Sequence, residues 1–304
     1  MAKTIYSLLV CLTLSLAAIA APSVSIWPED SPQLEGVKPE HVPKLFLYPG
    51  EKSDEARPAV LILPAGGYKH HSNMSSYVKY LNGLGIAVFE VKYRLPVHGY
   101  KHPAPLNDAS RCMRIIRHNA KQWGIDPERV GVLGASSGGH LTTTLITHFD
   151  AGDPDAKDTI DRQSSRPDFA MIFNAVVTMQ GKYCHTPSRA RLLPKDPPQA
   201  LVDDLSNELQ VTPDTPPTFI VAGGQDKLVP ADNSLMFFQA LRQNNVAFSE
   251  MYFFSHGGHF YETEDYEPLL GPWLQRLGVI GDLHADEKRV TKLKDPGAWA
   301  NDNK

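Results

Sequence analysis

Residues 134–138, Gly-Ala-Ser-Ser-Gly, place a serine between two glycines where the sequence pattern changes from strand to helix. The run 130–133 is short and apolar, which is typical of a buried strand, and the run 139–145 is typical of a closely packed helix. A serine at a sharp turn between a strand and a helix exposes its hydroxyl for attack on a carbonyl carbon. The flanking glycines remove side chains that would collide with the neighbouring strand and helix. The N–H of Ser137, at the start of the helix, can bind the oxyanion that such an attack creates.

An acid that would orient the catalytic base is predicted at Asp226. The apolar run 217–222 is typical of a buried strand, and Gly-Gly-Gln-Asp follows it at 223–226. A serine nucleophile of this kind works with a histidine that an Asp or Glu orients, and the acid follows the serine in the chain. Asp also favours ordinary turns, so its position alone leaves a structural role open. Together with Ser136, the pattern predicts that Asp226 is the acid.

The predicted base lies in a glycine-rich loop after the last strand. The run 248–254 predicts a strand, and Ser-His-Gly-Gly-His follows at 255–259. Both histidines of this loop could take the serine proton. We predict that His259 is the base, because the two glycines before it let the loop bring the imidazole to the serine. His256 is then a loop residue near the rim, and His140, one turn into the helix after the serine, is predicted to be a packing residue.

A second loop could complete an oxyanion hole. The apolar run 59–63 predicts a strand that ends in Pro-Ala-Gly-Gly-Tyr at 64–68. Glycines let a backbone approach a substrate closely, and an N–H from such a loop can act together with that of Ser137. The donor is predicted to be the N–H of Gly67 or of Tyr68. The alternative is a plain tight turn after a strand.

In this chain order the motifs resemble the α/β-hydrolase superfamily. More closely, they are similar to its acetyl-xylan-esterase-like branch, which is related to carbohydrate esterases and to prolyl-oligopeptidase catalytic domains. The resemblance spans about 44–277 and is carried by 64–68, Val-Lys-Tyr-Arg-Leu-Pro at 91–96, His-Pro-Ala-Pro-Leu-Asn-Asp at 102–108, Trp-Gly-Ile-Asp-Pro-Glu-Arg-Val at 123–130, 134–140, Thr-Pro-Pro-Thr-Phe at 215–219, 226–230 and Gly-Gly-His at 257–259. Two positions depart from the pattern. Ala65 stands where a third glycine is common, and Phe260 directly follows His259 where His-Gly-Phe is common.

The resemblance implies a serine esterase with the triad Ser136, Asp226 and His259 and with no cofactor. Its expected substrate is a short acyl ester, with acetyl groups on xylan or a related polysaccharide as the implied example. Two alternatives stay open: a serine peptidase of the prolyl-oligopeptidase type, and a non-catalytic hydrolase-fold protein that binds carbohydrate. The complete triad argues against the second. A lipase is disfavoured because no long apolar lid segment is visible.

Strand and helix patterns alternate along the chain, which predicts an α/β fold: a mostly parallel, doubly wound sheet with helices on both faces. Strands are predicted near 44–48, 59–63, 86–92, 129–134, 169–176, 218–222 and 248–254. Helices are predicted near 75–84, 106–123, 138–148, 232–244 and 266–277.

Length and charge set further limits. The chain has 304 residues, of which 42% are hydrophobic, and this fits one large domain with a sizeable core. Its formal net charge is −4, with both signs mixed along the chain. We therefore expect neither nucleic acid nor an anionic membrane as a partner. The partner that the resemblance implies is an ester substrate, such as an acylated polysaccharide.

The N-terminus predicts export. Lys3 precedes an apolar run over 8–20 that ends in small residues, which is typical of a secretory signal peptide at 1–20. The run is too short to span a membrane comfortably, so no membrane insertion is expected after its removal. A single catalytic domain is predicted at 21–280 and a loosely docked tail at 281–304. The mature protein is expected to be secreted or periplasmic.

A long irregular segment, 181–217, follows a core strand and should lie over the carboxyl edge of the sheet, where ligands bind. A short helix is possible at 198–208. We predict that the segment helps to wall the substrate pocket, with Tyr183, His185 and Arg189 as contacts. The alternative is that these side chains only solvate a surface loop.

The predicted mature chain keeps two cysteines, Cys112 and Cys184. An oxidising compartment would allow a disulfide. Because Cys112 falls in a predicted helix and Cys184 in a loop, two free thiols are favoured, with at least one of them buried. Cys184 and His185 are adjacent but have no partners at metal-ligand spacing, so no metal site is predicted.

Overall fold

The structure is a computed structural model and describes residues 21–281 except 49, 51, 52, 54, 261 and 262. The predicted signal peptide at 1–20 and the predicted tail beyond residue 281 lie outside the described residues. Those two predictions, and the domain boundaries that depend on them, stay predictions.

Eight strands form one sheet, in the order β1-β2-β4-β3-β5-β6-β7-β8. Strands β3 to β8 run parallel to one another, whereas β2 is antiparallel to both β1 and β4. The predicted mostly parallel sheet is therefore confirmed. The strands are β1 (Ser23–Ser25), β2 (Lys44–Tyr48), β3 (Arg57–Leu63), β4 (Ala87–Lys92), β5 (Ile125–Ala135), β6 (Ala170–Phe173), β7 (Thr218–Gly223) and β8 (Glu250–Phe254).

Helices cover both faces of the sheet. They are α1 (Ser75–Gly83), α2 (Ala104–His118), α3 (Ala120–Trp123), α4 (Ser136–Thr147), α5 (Thr186–Leu192), α6 (Gln199–Asp204), α7 (Asp232–Gln243) and α8 (Thr263–Arg276). Successive residues of β3 belong to two different hydrophobic cores. Leu61 packs in the core that includes residues of α2, α4 and α7. Ile62 packs in the core that includes residues of α1 and α8. Alternate side chains of a central strand point to opposite faces, so β3 is buried on both sides.

The structure differs from the predicted elements in several places. β1 was not predicted, because its three residues form a short edge strand with little pattern. The strand predicted over 169–176 ends at Phe173, since Asn174 takes a φ of 42° that leaves the extended region. The segment 181–217, predicted to be mostly irregular, contains α5 and α6. Proline in the first turn of α5 fits a helix start, because that position needs no N–H.

Both described cysteines are free thiols, as favoured from the sequence. Cys112 is buried in α2, and Cys184 is half-buried. No helix among the described residues is both long enough and apolar enough to cross a bilayer.

Candidate active site

Ser136 lies at the turn between β5 and α4, as predicted. Its φ is 53°, a left-handed conformation that is uncommon for a residue with a side chain. The residue is 9% exposed. Strain of this kind is held in place by the surrounding structure and clusters at functional positions.

The two glycines beside the serine permit this turn. A Cβ on Gly134 would lie 2.3 Å from the carbonyl oxygen of Gly138, in the helix that follows. A Cβ on Gly138 would lie 2.1 Å from the carbonyl oxygen of Leu63, at the end of β3. Both contacts are too short for any side chain. The predicted reason for these glycines is therefore confirmed, and α4 begins directly against the end of β3.

The structure brings Ser136, His259 and Asp226 together in one chain of hydrogen bonds. His259 Nε2 lies 3.1 Å from Ser136 Oγ, and His259 Nδ1 lies 2.6 Å from Asp226 Oδ2. Because a carboxylate only accepts, Nδ1 carries a proton and Nε2 is left to accept from the serine hydroxyl. The three residues come from the carboxyl ends of β5, β7 and β8, which meet at one edge because these strands are parallel.

The Asp226 carboxylate is held at both oxygens. Its Oδ2 meets the imidazole of His259, and its Oδ1 accepts from the backbone N–H groups of Leu228, at 2.8 Å, and Val229, at 2.9 Å. Burial raises the pKa of this carboxyl, but the hydrogen bonds from His259, Val229 and Leu228 outweigh it, so the pKa lies below its ordinary value. Asp226 is therefore ionised at neutral pH and can stabilise a charged imidazole.

Asn174 anchors the loop that carries the histidine. Its amide Nδ2 donates to the carbonyl oxygens of Gly258, at 2.9 Å, and His259, at 3.0 Å, and its Oδ1 accepts from the N–H of Gly223 at 2.8 Å. Asn174 thus connects the loop that carries His259 to the end of β7, just before Asp226. This residue was not predicted from the sequence, where the available indication was a polar side chain directly after the apolar run 169–173.

The loop after β3 lies against the start of α4. Gly66 and Gly67 have φ values of 127° and 62°, and Tyr68 has one of 59°. The Tyr68 N–H donates to Ser137 Oγ at 3.3 Å, whereas the N–H of Gly67 has no acceptor among the described residues. Of the two predicted oxyanion donors, Gly67 is thus the one whose N–H is free. The Ser137 N–H lies in the first turn of α4, where it has no intrahelical acceptor.

The Tyr68 side chain fixes this loop to α4 a second time. Its hydroxyl is 2.8 Å from His140 Nδ1, and His140 Nε2 is 2.9 Å from the carbonyl oxygen of Leu205. A carbonyl only accepts, so Nε2 carries the proton and Nδ1 accepts from Tyr68. Burial lowers the pKa of His140 to about 4. His140 is therefore a neutral packing residue, as the sequence predicted.

A family model described as BD-FAE matches residues 45–241. The match covers more than half of the chain and includes Ser136 and Asp226, but it ends before His259. The chain belongs to the BD-FAE family of α/β-hydrolases.

Relatives agree with this assignment. The BD-FAE chain is 33% identical to endo-1,4-beta-xylanase B of Butyrivibrio fibrisolvens, over 77% of this chain and 37% of the relative. It is 32% identical to an acetylxylan esterase of Xylanibacter ruminicola, over 72% of this chain and 44% of the relative. The chain thus spans less than half the length of these two curated relatives.

Solved structures show the same fold. The acetyl ester-xyloside bifunctional hydrolase of Caldicellulosiruptor lactoaceticus superposes with a TM-score of 0.80 at 34% identity, covering 88% of this chain and 100% of that one. Native esterase 2 of Thermogutta terrifontis superposes with a TM-score of 0.69 at 22% identity, covering 87% of this chain and 95% of that one. The second likeness is one of fold alone.

Of the predicted substrate contacts in this BD-FAE chain, His185 interacts electrostatically with two triad residues, His259 and Asp226. Burial lowers the pKa of His185, the charges of His259 and Arg191 lower it further, and Asp226 opposes them. Its Nδ1 is 2.8 Å from Ser188 Oγ at the start of α5. His185 is therefore within reach of the charges of the site.

The other two predicted contacts are placed differently. The Tyr183 carbonyl accepts from Asn233 Nδ2 at 2.9 Å, and its ring lies under the ammonium of Lys182. Arg189 lines a separate cavity of about 290 Å³ with Lys101, and no triad residue lines that cavity. The role of Arg189 as a substrate contact therefore stays a prediction.

Arg191, two residues after Arg189 on α5, makes a contact that was not predicted from the sequence. Its Nη1 donates to the carbonyl oxygen of Gly67 at 2.9 Å. Lys101 Nζ donates to the carbonyl oxygens of Arg191, at 2.7 Å, and Leu193, at 2.6 Å, at the carboxyl end of the same helix. Through these contacts α5 holds the loop after β3 in place.

An exposed aromatic ring stands beside the base. Phe260 is 84% exposed, and its ring centroid lies 5.1 Å from that of His259, nearly perpendicular to it. Among the described residues, no cluster of three or more His, Cys, Asp or Glu side chains could hold a metal ion. That no cofactor takes part stays a prediction.

Proposed function

We propose that this chain is a serine esterase in which Ser136 attacks the carbonyl carbon of an ester. The observation that carries the proposal is the hydrogen-bonded chain from Ser136 Oγ through His259 to Asp226, at 3.1 and 2.6 Å. His259 Nε2 takes the hydroxyl proton as the C–O bond forms, and Asp226 stabilises the imidazolium.

The backbone N–H groups of Gly67 and Ser137 bind the oxygen that becomes negative in the tetrahedral intermediate. Gly67 is proposed rather than Tyr68 because the Tyr68 N–H already donates to Ser137 Oγ. Collapse of the intermediate breaks the ester bond, and His259 returns the proton to the departing alcohol. The acyl group remains on Ser136. Water then attacks it, with His259 as base, and releases the carboxylic acid.

The proposed substrates are short acyl esters, with acetyl groups on xylan or a related polysaccharide as the natural class. Support comes from the relatives: one is an acetylxylan esterase, and the structural relative at 34% identity is an acetyl ester-xyloside bifunctional hydrolase. We further propose that the protein is secreted or periplasmic. The pattern of Lys3 and the apolar run over 8–20 supports this.

The test is hydrolysis of 4-nitrophenyl acetate, butyrate and octanoate by the chain and by Ser136→Ala. Loss of the nucleophile should lower kcat by several orders of magnitude. Ser76→Ala changes an exposed serine of α1 and serves as the matched control, with activity expected to equal the parent's. A preference for acetate would support deacetylation.

Three outcomes would contradict the proposal. Equal activity in the parent and in Ser136→Ala would remove Ser136 as the nucleophile. A folded parent that ignores all three esters but cleaves peptide 4-nitroanilides would favour a serine peptidase, and one that cleaves neither would favour a binding protein.

A further inference from the structure

A groove runs along the outer strand pair β2 and β4 on the α1 side of the sheet. It consists of two adjoining cavities, of about 370 and 350 Å³, which share His71 and Lys92 in their linings. We call it the β2–β4 groove. Its lining includes Lys44, Phe46, Tyr48, His71, Glu90 and Lys92.

Two lysines concentrate positive charge at one end of this groove. Lys44 and Lys92 are directly opposite each other in the antiparallel pairing of β2 and β4, and both are exposed. Like charges directly opposite on neighbouring strands destabilise a sheet. Within the described part of the chain, neither lysine forms an ion pair with a carboxylate. A bound anion would relieve this repulsion.

Two acidic side chains, Glu40 and Glu90, also line the groove. Glu90 lies two residues before Lys92 on the same strand, and its carboxylate accepts from the Tyr48 hydroxyl at 3.4 Å. Glu40 lines the cavity at the lysine end. The two lysines and Glu40 are exposed, whereas Glu90 is half-buried and the charge of Lys92 acts on it.

The histidine at the middle of the groove adds a polar group without a charge. Burial, helped by the positive charge of Lys92, lowers the pKa of His71 to about 4, so His71 is neutral at neutral pH. Its Nε2 is 3.1 Å from the carbonyl oxygen of Tyr93. The lysines therefore supply the positive charge with which an anion could pair in the groove.

The floor of the groove offers apolar surface next to the charge. Phe46 and Tyr48 are two residues apart on β2, so both side chains point into the groove, about 7 Å apart along the strand. The Lys92 ammonium lies 5.0 Å from the centre of the Phe46 ring. Aromatic rings pack against the C–H faces of sugars, and a neighbouring ammonium can pair with a sugar carboxylate.

The groove borders the loop that carries the proposed oxyanion donor. The His71 ring packs edge to face on Tyr93 at 4.8 Å, and the Tyr93 hydroxyl donates to the carbonyl oxygen of Pro64 at 2.9 Å. Pro64 begins the loop that includes Gly67. The groove and Ser136 therefore lie on either side of one loop, at the same edge of the sheet.

We propose that the β2–β4 groove binds a sugar carboxylate, so that the protein prefers acidic oligosaccharides that carry uronic acid residues. The ester cut by Ser136 and the uronic acid held in the groove would belong to one polymer. Only this last link rests on the proposed esterase function, since binding in the groove needs no catalysis.

The test measures binding by the Ser136→Ala protein, which cannot turn over an ester by the proposed route. The two probes are xylotriose and xylotriose carrying one glucuronic acid residue, titrated calorimetrically at low salt. We expect the acidic probe to bind about tenfold more tightly, and this preference to shrink in 0.5 M NaCl, because exposed ion pairs are screened.

Paired variants locate the site. Lys44→Gln with Lys92→Gln should reduce the affinity for the acidic probe to that for xylotriose. Lys121→Gln with Lys157→Gln removes the same charge from exposed positions outside the groove and should leave the preference intact. With Ser136 present, the groove variant should hydrolyse 4-nitrophenyl acetate at the parental rate.

The outcomes separate the two proposals. Equal binding of both probes, binding of neither, or an unchanged preference in the groove variant would overturn the groove site whatever the esterase result. Absence of ester hydrolysis with a lysine-dependent preference would overturn the esterase and keep the groove as a carbohydrate site.

Discussion

The Asp226 carboxylate shows how a single residue is prepared for one task. Three hydrogen bonds, from His259, Leu228 and Val229, keep it ionised and fix its direction. An amide at this position keeps the size but loses the charge, and it can present an N–H where the imidazole needs an acceptor.

We therefore predict that Asp226→Asn lowers kcat for 4-nitrophenyl acetate by about 10³-fold or more, because the imidazole takes the wrong tautomer and its charged form is no longer stabilised. KM should change little. The measurement is steady-state kinetics beside a urea unfolding curve that verifies the fold. A kcat within tenfold of the parent's would show that Asp226 does not serve as the acid.

Asn174 gives a second prediction at this scale. Asn174→Asp keeps an acceptor for the Gly223 N–H but loses the donor to the carbonyl oxygens of Gly258 and His259. We expect kcat to fall about 10- to 100-fold with little change in KM, since a base displaced by a fraction of an ångström transfers protons poorly.

Asn174→Ala, which loses both sets of contacts, is the comparison for this variant. An Asn174→Asp enzyme with the parental kcat would contradict a positioning role. If the KM of Asn174→Asp rose while its kcat stayed at the parental value, Asn174 would act on substrate binding rather than on His259.

The serine, acid and histidine could be predicted because each stands in a short motif whose chain order is informative. Asn174 and Arg191 could not, since they act on backbone carbonyls far away in sequence. The choice between Gly67 and Tyr68 also needed the structure. It depends on one hydrogen bond, from the Tyr68 N–H to Ser137 Oγ, that no sequence pattern encodes.

At the scale of elements, α4 is the centre of the site. Its first turn carries Ser136 and Ser137, and its buried face holds His140 between Tyr68 and Leu205. The helix is thereby connected to the loop after β3 on one side and to the segment after α6 on the other. The sequence predicted α4 itself from its pattern, but these cross-links come from residues 68 and 205, which are distant in the chain.

His140 makes the stability of this assembly depend on pH. Its pKa is about 4 in the folded chain and 6.5 when unperturbed, so between these values the unfolded chain binds a proton that the folded chain excludes. Stability therefore falls as the pH is lowered from 7 to 5, and this group alone accounts for about 2 kcal/mol of that loss.

His140→Gln should remove this contribution. The measurement is the free energy of unfolding in urea at pH 7 and at pH 5. The difference between the two pH values should be about 2 kcal/mol smaller in the variant than in the parent. Any pH-independent cost of the substitution cancels in that difference. An identical pH dependence in both proteins would mean that His140 protonates in the folded chain as readily as in the unfolded one.

At the scale of the molecule, a buried ion pair joins the N-terminal segment to the sheet. Arg94 follows β4 and pairs with Asp108 of α2 at 2.7 Å, with side chains 5% and 0% exposed. Arg94 also donates to the carbonyl oxygen of Gln33 at 2.5 Å, and the Trp27 indole donates to Asp108 at 2.8 Å. Removing one partner would leave a buried, uncompensated charge.

Asp108→Ala should accordingly lower the free energy of unfolding by about 3–5 kcal/mol. Asp126→Ala breaks a more exposed pair, in which the side chains of Arg129 and Asp126 are 32% and 29% exposed. This substitution should lower the free energy of unfolding by under about 1 kcal/mol. Urea unfolding of both variants is the measurement. Equal costs would show that burial does not set the contribution of these pairs.

The alternation of strands and helices was enough to predict the sheet, because the central strands β3, β5 and β7 each contain an apolar run. The edge strand β1 was harder to predict from the sequence. β1 has three residues and owes its place to pairing with β2, so its conformation is decided by a partner rather than by its own pattern. The same holds for α5, which is fixed by Lys101 at its end and by its contact with the loop after β3.

The central claim is that Ser136 is the nucleophile, and covalent labelling tests it most directly. The chain is incubated with a fluorophosphonate, and the adduct is located by intact-mass and peptide mass spectrometry. We predict one adduct per chain, on Ser136, with labelling abolished in Ser136→Ala and strongly slowed in His259→Ala but not in His256→Ala. An adduct on another residue, or none in the folded parent, would contradict the claim.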